Sequence, residues 1–179
     1  MKLLLDTCVL YPTVMREMLL GAARAGHFVP LWSARILGEW ERAAVKLGPA
    51  GAAQATAEIA LLKAAWPKAE VAPKPGLEAR LWLPDQHDIH VLAAAIAGHA
   101  DGIVTVNAKD FPRQTLEEEG LKRSAPDELL YDFWLKDPAV IEAVGQAVLS
   151  EAIRLSGEDW QMRALLKKAR LPRLAKALA

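Results

Sequence analysis

Segment 84–112 restricts the fold more than any other part of this sequence. Asp85 is placed to cap a helix over residues 86–98, whose alanine-rich apolar face is typical of a helix that lies close to a sheet. A turn at residues 99–102 follows, and the apolar run 103–106 then reads as a buried strand. A helix that leads directly into a buried strand is one half of a βαβ unit. The segment therefore predicts an α/β protein with a parallel sheet.

The preceding residues alternate between strand and helix in the same way. Each apolar run of strand length is followed by residues at helical spacing, and Ser33 is a suitable N-cap for one of these helices. Pro49 and Gly51 are expected to break the chain between two helices. The predicted elements are strands at 3–5 and 28–32, helices at 12–26, 34–48 and 52–66, and an extended piece near 70–72 inside a Pro-rich loop.

Four acidic side chains stand at the ends of these predicted elements. Asp6 follows three leucines, Glu39 follows Ile-Leu-Gly, Asp88 heads the alanine-rich helix, and Asp110 lies just beyond the strand at 103–106. Ligands of α/β proteins bind outside the carboxyl ends of parallel strands, where such residues converge. Taken singly, each acid also fits a strand end, a helix-dipole partner, a solvated helix position or a turn. Together they predict a carboxylate cluster that holds a hard cation.

The same residues resemble the PIN-domain ribonucleases, in particular the VapC-type toxins of bacterial toxin-antitoxin pairs. The resemblance covers roughly the first 130 residues and depends on the order and spacing of four blocks. These blocks are residues 4–7 (LLDT), 33–40 with Ser33, Ile36-Leu37 and Glu39-Trp40, 85–95 (DQHDIHVLAAA) and 103–112 (IVTVNAKDFP). The resemblance implies a three-layer α/β/α sandwich with a central parallel sheet, a bound Mg²⁺ or Mn²⁺ ion, and endonucleolytic cleavage of RNA.

Carried over position by position, the resemblance also implies a set of site residues. The catalytic acids are Asp6, Glu39, Asp88 and Asp110, of which Asp6, Asp88 and Asp110 are the metal ligands. Glu39 is expected to orient the attacking water or to bind a second ion. Asn107, Thr105, Thr7 and Asp85 are the expected supporting residues. Family members often carry a further acid beside the third one, where this chain has His87, so the number of metal ions stays open.

The proposed chemistry fits these residue types. Hydrolysis of a phosphodiester needs an activated water and stabilisation of charge on the phosphoryl oxygens, and Mg²⁺ or Mn²⁺ supplies both while preferring oxygen ligands. No cluster of histidines and thiolates accompanies the acids, which argues against structural zinc. Two alternatives remain open, an inactive PIN-fold module that only binds RNA and, with less support, a phosphomonoesterase. The phosphatase chemistry requires a second Asp two residues after Asp6, and this chain has Cys8 at that position, which argues against it.

Charge and helix periodicity set the last part of the chain apart. The formal net charge is zero, but seven Lys or Arg and three Asp or Glu follow Ser150, which leaves fifteen against nineteen before it. We expect a nuclease domain over residues 1–130 and a basic helical extension over 131–179. The expected partners are RNA and a cognate antitoxin protein, and a homodimer is a further expectation.

The single cysteine, the apolar runs and the histidines say less about function than the acidic residues do. One cysteine excludes an internal disulfide, and Cys8 is expected to be a small buried hydrophobic residue. No apolar run approaches the roughly 18 residues that span a bilayer, so a cytoplasmic protein without membrane contact is expected. His87 and His90 lie three residues apart on the predicted helix and are assigned no catalytic role.

Overall fold

A parallel sheet of five strands lies at the centre of the structure, a computed structural model that describes residues 1–179. The strands are β1 (Lys2–Leu5), β2 (Val29–Ser33), β3 (Glu70–Val71), β4 (Gly102–Val104) and β5 (Lys122–Ser124), in the spatial order β3-β2-β1-β4-β5. In β1, Leu4 pairs with Leu31 of β2 on one side and with Ile103 of β4 on the other. Leu3, Leu4 and Leu5 are buried because the strand lies in the middle of the sheet.

Ten α-helices flank or follow the strands, which confirms the predicted α/β class with a parallel sheet. Their bounds are α1 Thr7–Leu10, α2 Thr13–Arg24, α3 Ala34–Val45, α4 Gly48–Ala65, α5 Ile89–Ala97, α6 Arg113–Glu118, α7 Pro126–Lys136, α8 Pro138–Ser156, α9 Met162–Lys168 and α10 Pro172–Ala177. Short 3-10 turns occur at Glu78–Arg80 and Gln86–Asp88. None of these helices combines the length and the apolar composition that a membrane crossing requires.

The chain divides into two compact units. The first comprises Met1–Cys8 and Val29–Arg123, and it holds nearly the whole sheet together with α3 to α6. In this unit α5 packs on β1, β2 and β4, while α3 packs on β2 and on α4. The second unit comprises Val9–Phe28 and Ser124–Ala179. There α2 packs against α7 and α8, and α9 and α10 pack against each other.

Parallel register at the middle of the sheet brings two polar residues side by side. Leu5 pairs with Val104, and the backbone N–H of Asp6 donates to the carbonyl of Val104 at 3.1 Å. Asp6 and Thr105 therefore follow their strands at the same edge, the carboxyl end of the sheet. This is where the sequence analysis expected the acidic residues to converge.

Some predicted boundaries differ from the observed ones. The predicted helix 86–98 begins as the 3-10 turn Gln86–Asp88, in which the Asp85 carboxylate accepts a bond from the backbone N–H of His87. The predicted strand 103–106 ends at Val104, because the Thr105 hydroxyl accepts the N–H of Asn107 and turns the chain. Pro49 stands in the first turn of α4 rather than in a break, since a proline there forfeits no helical hydrogen bond.

Candidate metal centre

Asp6 is the most buried of the acidic side chains and is held from several sides. It is 6% exposed, and its Oδ1 accepts the backbone N–H of Thr7 at 2.7 Å. Its Oδ2 accepts the Thr105 hydroxyl at 2.8 Å and lies 3.1 Å from Sγ of Cys8. A buried carboxylate without such donors would be costly, so these bonds allow an acid to follow three buried leucines. They also fix the direction in which the Asp6 carboxylate points.

Asn107 links two further acids to the same edge of the sheet. Its backbone N–H donates to the Thr105 hydroxyl at 3.0 Å, which places the residue immediately beyond β4. Its side-chain Nδ2 donates to Oδ2 of Asp110 at 2.6 Å and lies 3.4 Å from Oδ2 of Asp88. One amide therefore bridges an acid from the head of α5 and an acid from the loop after β4. The structure brings Asp88 and Asp110 together as the sequence pattern suggested.

Three carboxylates lie close enough to share one cation. Asp85, Asp88 and Asp110 each offer an oxygen, and these atoms all lie within 4.8 Å of one another. Burial and, after it, the negative charges of Asp6, Asp85, Asp110 and Glu39 together raise the pKa of Asp88 to about 6. The charges of Asp6, Glu39 and Asp110, the other three acids of the predicted cluster, thus all act on Asp88. Asp85, expected only in a supporting role, belongs to the tightest group.

Glu39 borders the cluster from α3 and has both carboxylate oxygens engaged. Its Oε2 lies 2.7 Å from the Thr7 hydroxyl, and its Oε1 lies 2.6 Å from Nε2 of His90. Burial raises the pKa of Glu39, but the bonds from His90 and Thr7 outweigh burial and hold it below the ordinary value. Glu39 is therefore an ionised group in a fixed orientation, and Thr7 connects it to the end of β1.

His90 is a site residue that the sequence analysis missed. Its side chain is buried, and it reaches Glu39 across 51 positions of sequence. Its Nδ1 is also buried and has no hydrogen-bond partner. The available signal was its place in α5, directly before Val91 and Leu92, where a polar side chain on an apolar face needs a polar partner. The sequence could not show which residue that partner would be.

Cys8 belongs to the wall of the cluster rather than to the apolar core. Its Sγ lies 3.1 Å from Asp6 and 3.3 Å from the Thr105 hydroxyl, and it accepts the N–H of Val106 at 3.4 Å. Burial and, after it, the charge of Asp6 together raise the pKa of the thiol to about 12. The thiol is therefore protonated at neutral pH and is a donor to Asp6, not a nucleophile.

The loop that carries Asp110 is fixed from outside the cluster. The Arg123 guanidinium donates to the carbonyls of Ala108 and Phe111 at 2.7 and 2.8 Å. The Phe111 side chain is fully buried, which anchors the same loop from its inner side. Lys109 is exposed, and its charge acts on Asp85. The charge of Arg35 acts on Glu39 in the same way, so exposed cations lie near the acidic cluster and could meet a phosphate beside a divalent ion.

Comparison with known proteins gives one clear relationship. No curated protein and no solved structure matches the chain significantly. A family model described as the PIN domain matches residues 2–109, which is more than half of the chain and includes Asp6, Glu39, Asp85, Asp88 and Asn107. The protein therefore belongs to the PIN-domain family.

Proposed function

We propose that the protein is a metal-dependent endoribonuclease that hydrolyses RNA phosphodiester bonds. The observation that carries the proposal is the cluster of carboxylates around Asp88 on a PIN domain, a family whose members are generally metal-dependent nucleases. The proposed catalytic residues are Asp6, Glu39, Asp88 and Asp110. The proposed ion is Mg²⁺ or Mn²⁺, with Asp6, Asp88 and Asp110 as ligands and Asp85 as a further one.

The donor set fits a hard divalent cation. Asp85, Asp88 and Asp110 each offer a carboxylate oxygen to the cluster, and oxygen is the donor that Mg²⁺ and Mn²⁺ prefer. Burial and then repulsion from the neighbouring acids raise the pKa of Asp88, and a cation between the carboxylates would relieve the repulsion. The thiol of Cys8 keeps its proton in the metal-free site, so a soft metal would have to displace that proton in order to bind the sulfur.

The protein's own groups fix the reacting geometry. When bound, a divalent ion supplies Lewis acidity to the scissile phosphate and the attacking water. Thr105, Thr7 and Asn107 hold the carboxylates in place, so little reorganisation is needed at the moment of reaction. The lowered pKa of Glu39 makes it a weak base, and we assign it to orienting the attacking water. Lys109 is available to contact a phosphate oxygen.

A cleavage assay tests this proposal directly. Fluorescently labelled single-stranded RNA is incubated with the purified protein in Mg²⁺, in Mn²⁺ and in EDTA. We expect internal cuts only with metal, and we expect Asp88→Asn to abolish them. Asp159→Asn is the matched control, because Asp159 is an exposed loop residue with the same change of charge. RNA that is bound but never cut would indicate the inactive module, and phosphate release from a phosphomonoester would indicate the phosphatase.

We further propose that the nuclease acts as the toxin of a type II toxin-antitoxin pair. This part rests on the resemblance of the sequence motifs to VapC-type toxins. Induced expression should then arrest growth, Asp88→Asn should remove the effect, and co-expression of a small neighbouring gene product should suppress it. If cells that express the protein grow normally although the purified protein cleaves RNA, the nuclease activity stands and the toxin role is rejected.

A further inference from the structure

The last two helices carry a concentrated positive charge that the proposed catalysis does not use. Six cations lie in the final twenty residues, and no Asp or Glu occurs among residues 160–179. All six are exposed. We call them the basic surface, and they are Arg163, Lys167, Lys168, Arg170, Arg173 and Lys176.

Burial of the apolar residues turns these cations outward. In α9, Met162, Leu165 and Leu166 are buried, while Arg163 and Lys167 stand one helical turn apart on another face. The same division recurs in α10, whose buried residues are Leu174 and Ala175 and whose exposed cations Arg173 and Lys176 are three positions apart. α9 and α10 pack together, so both sets belong to one short hairpin. Each helix is about 10 Å long, which makes the charge density high.

Two cations of the basic surface lie over aromatic rings, and none of the six is neutralised by an ion pair. None of them forms an ion pair, whereas exposed arginines elsewhere do, as in Arg80 with Glu119 and Arg154 with Glu151. Nζ of Lys168 lies 4.8 Å from the centre of the Trp160 ring. The Arg173 guanidinium lies 4.5 Å from the centre of the Tyr131 ring. These ring contacts orient the charges while leaving them free to meet an anion.

We propose that the basic surface binds the phosphate backbone of RNA. A polyanion with regularly spaced charges can meet several unpaired cations at once, and release of its counterions drives the binding. A lipid surface fits less well, because the leucines of α9 and α10 are buried and cannot insert between acyl chains. An acidic protein fits less well, because the buried leucines of α9 and α10 could not form the apolar core of a protein interface. The inference rests on the proposed function only in naming RNA as the polyanion.

The proposal can be tested without any cleavage. Fluorescence anisotropy of a labelled single-stranded RNA is measured with the full-length protein in EDTA, over a series of salt concentrations. The variant Arg163→Gln/Lys167→Gln/Lys176→Gln removes three charges that contact no aromatic ring. Each phosphate contact on a single strand contributes about 0.7 to the salt slope, so the slope should fall by about two. Near 0.1 M salt the affinity should fall roughly a hundredfold.

A second triple variant controls for total charge. Lys46, Lys68 and Lys74 are exposed cations of the other unit, and their change to Gln lowers the net charge equally. We expect this variant to keep most of the affinity and slope. Equal losses in both variants, or none in the first, would overturn the proposal, and so would binding to phosphatidylserine vesicles without binding to RNA. If the unmodified protein binds RNA through the basic surface but does not cleave it in Mg²⁺ or Mn²⁺, the proposed nuclease activity is wrong and the proposed RNA-binding surface stands.

The unmodified protein provides an independent readout if a variant fails to fold. Acetylation of lysine amines is followed by mass spectrometry with and without RNA, again in EDTA. Bound RNA should protect Lys167, Lys168 and Lys176 severalfold more than Lys46 and Lys68. Uniform protection of all lysines, or protection confined to the other unit, would show that the RNA backbone does not occupy the basic surface.

Discussion

Replacing Asp88 with asparagine should make the metal-free protein more stable at neutral pH, although the change removes a proposed metal ligand. Burial and the charges of Asp6, Asp85, Asp110 and Glu39 raise the pKa of Asp88 from 3.8 to about 6 in the fold. A carboxyl whose pKa is higher in the fold than in the unfolded chain binds protons more tightly when folded. The contribution of Asp88 to the free energy of unfolding is therefore highest below about pH 4 and falls until the pH passes about 6.

The size of the effect follows from the shift and from the exposure of the group. The difference between 3.8 and about 6 corresponds to an upper bound of roughly 3 kcal/mol, at about 1.4 kcal/mol per pH unit. Asp88 is only partly buried, so solvent screening reduces this bound and we expect about 1 kcal/mol above pH 6. The contact with Nδ2 of Asn107 is long, at 3.4 Å, and an asparagine carbonyl can replace it. Near pH 4 the variant and the wild type should be equally stable.

Urea unfolding followed by circular dichroism measures this difference. The wild type, Asp88→Asn and the control Asp159→Asn are compared in EDTA at pH values on both sides of 6. Added Mn²⁺ should then stabilise the wild type and the control, since an ion that binds only the folded state raises its stability, and it should leave Asp88→Asn unchanged. The reasoning is refuted if Asp88→Asn is no more stable than wild type near pH 8, or if Mn²⁺ stabilises it equally.

Three other substitutions test the packing around the site and in the second unit by urea unfolding. His90→Leu should cost roughly 1–3 kcal/mol because Glu39 loses a buried partner, and the loss should shrink in Glu39→Gln; additive losses would contradict the pairing. Gly21→Ala should cost about 1–3 kcal/mol because a Cβ there overlaps Val144, and Val144→Ala should recover part of it; no recovery would contradict this packing. Trp82→Ala should change stability by less than about 0.5 kcal/mol because the ring is 64% exposed; a larger loss would show hidden contacts.

Local patterns explain why so much of the first unit could be predicted from the sequence. Buried strands and amphipathic helices each give a characteristic spacing of apolar residues within a short stretch of sequence. Helix α5 and strand β4 could therefore be predicted from the sequence. The Ser33 cap was predicted from residue type and is confirmed by the bond from the N–H of Ile36 at 3.1 Å. The expectation that the acidic residues lie near one another depended on one topological rule, that the carboxyl ends of parallel strands lie at a common edge of the sheet.

Contacts between distant segments could not be predicted in the same way. The partner of His90 is 51 positions away, and the hydroxyl of Thr105 meets Asp6 across 99 positions. Such pairs depend on strand register and helix rotation, which short-range periodicity does not specify. The early end of β4 has a local cause instead, because the N–H of Asn107 donates to the Thr105 hydroxyl two residues away, and the apolar run at 103–106 does not reveal that bond.

The network that holds the acids also explains why their repulsion concentrates on one residue. Asp6 accepts from Thr7 and Thr105, Glu39 accepts from Thr7 and meets His90, and both carboxylates are thereby compensated within the protein. The Asp88 carboxylate has only the long contact to Asn107, so burial and the charges of the neighbouring acids raise its pKa with little to offset them. A cation should interact most favourably with the carboxylate whose negative charge is least compensated by hydrogen bonds from the protein. The residue that most destabilises the metal-free fold should therefore be the one on which metal binding most depends.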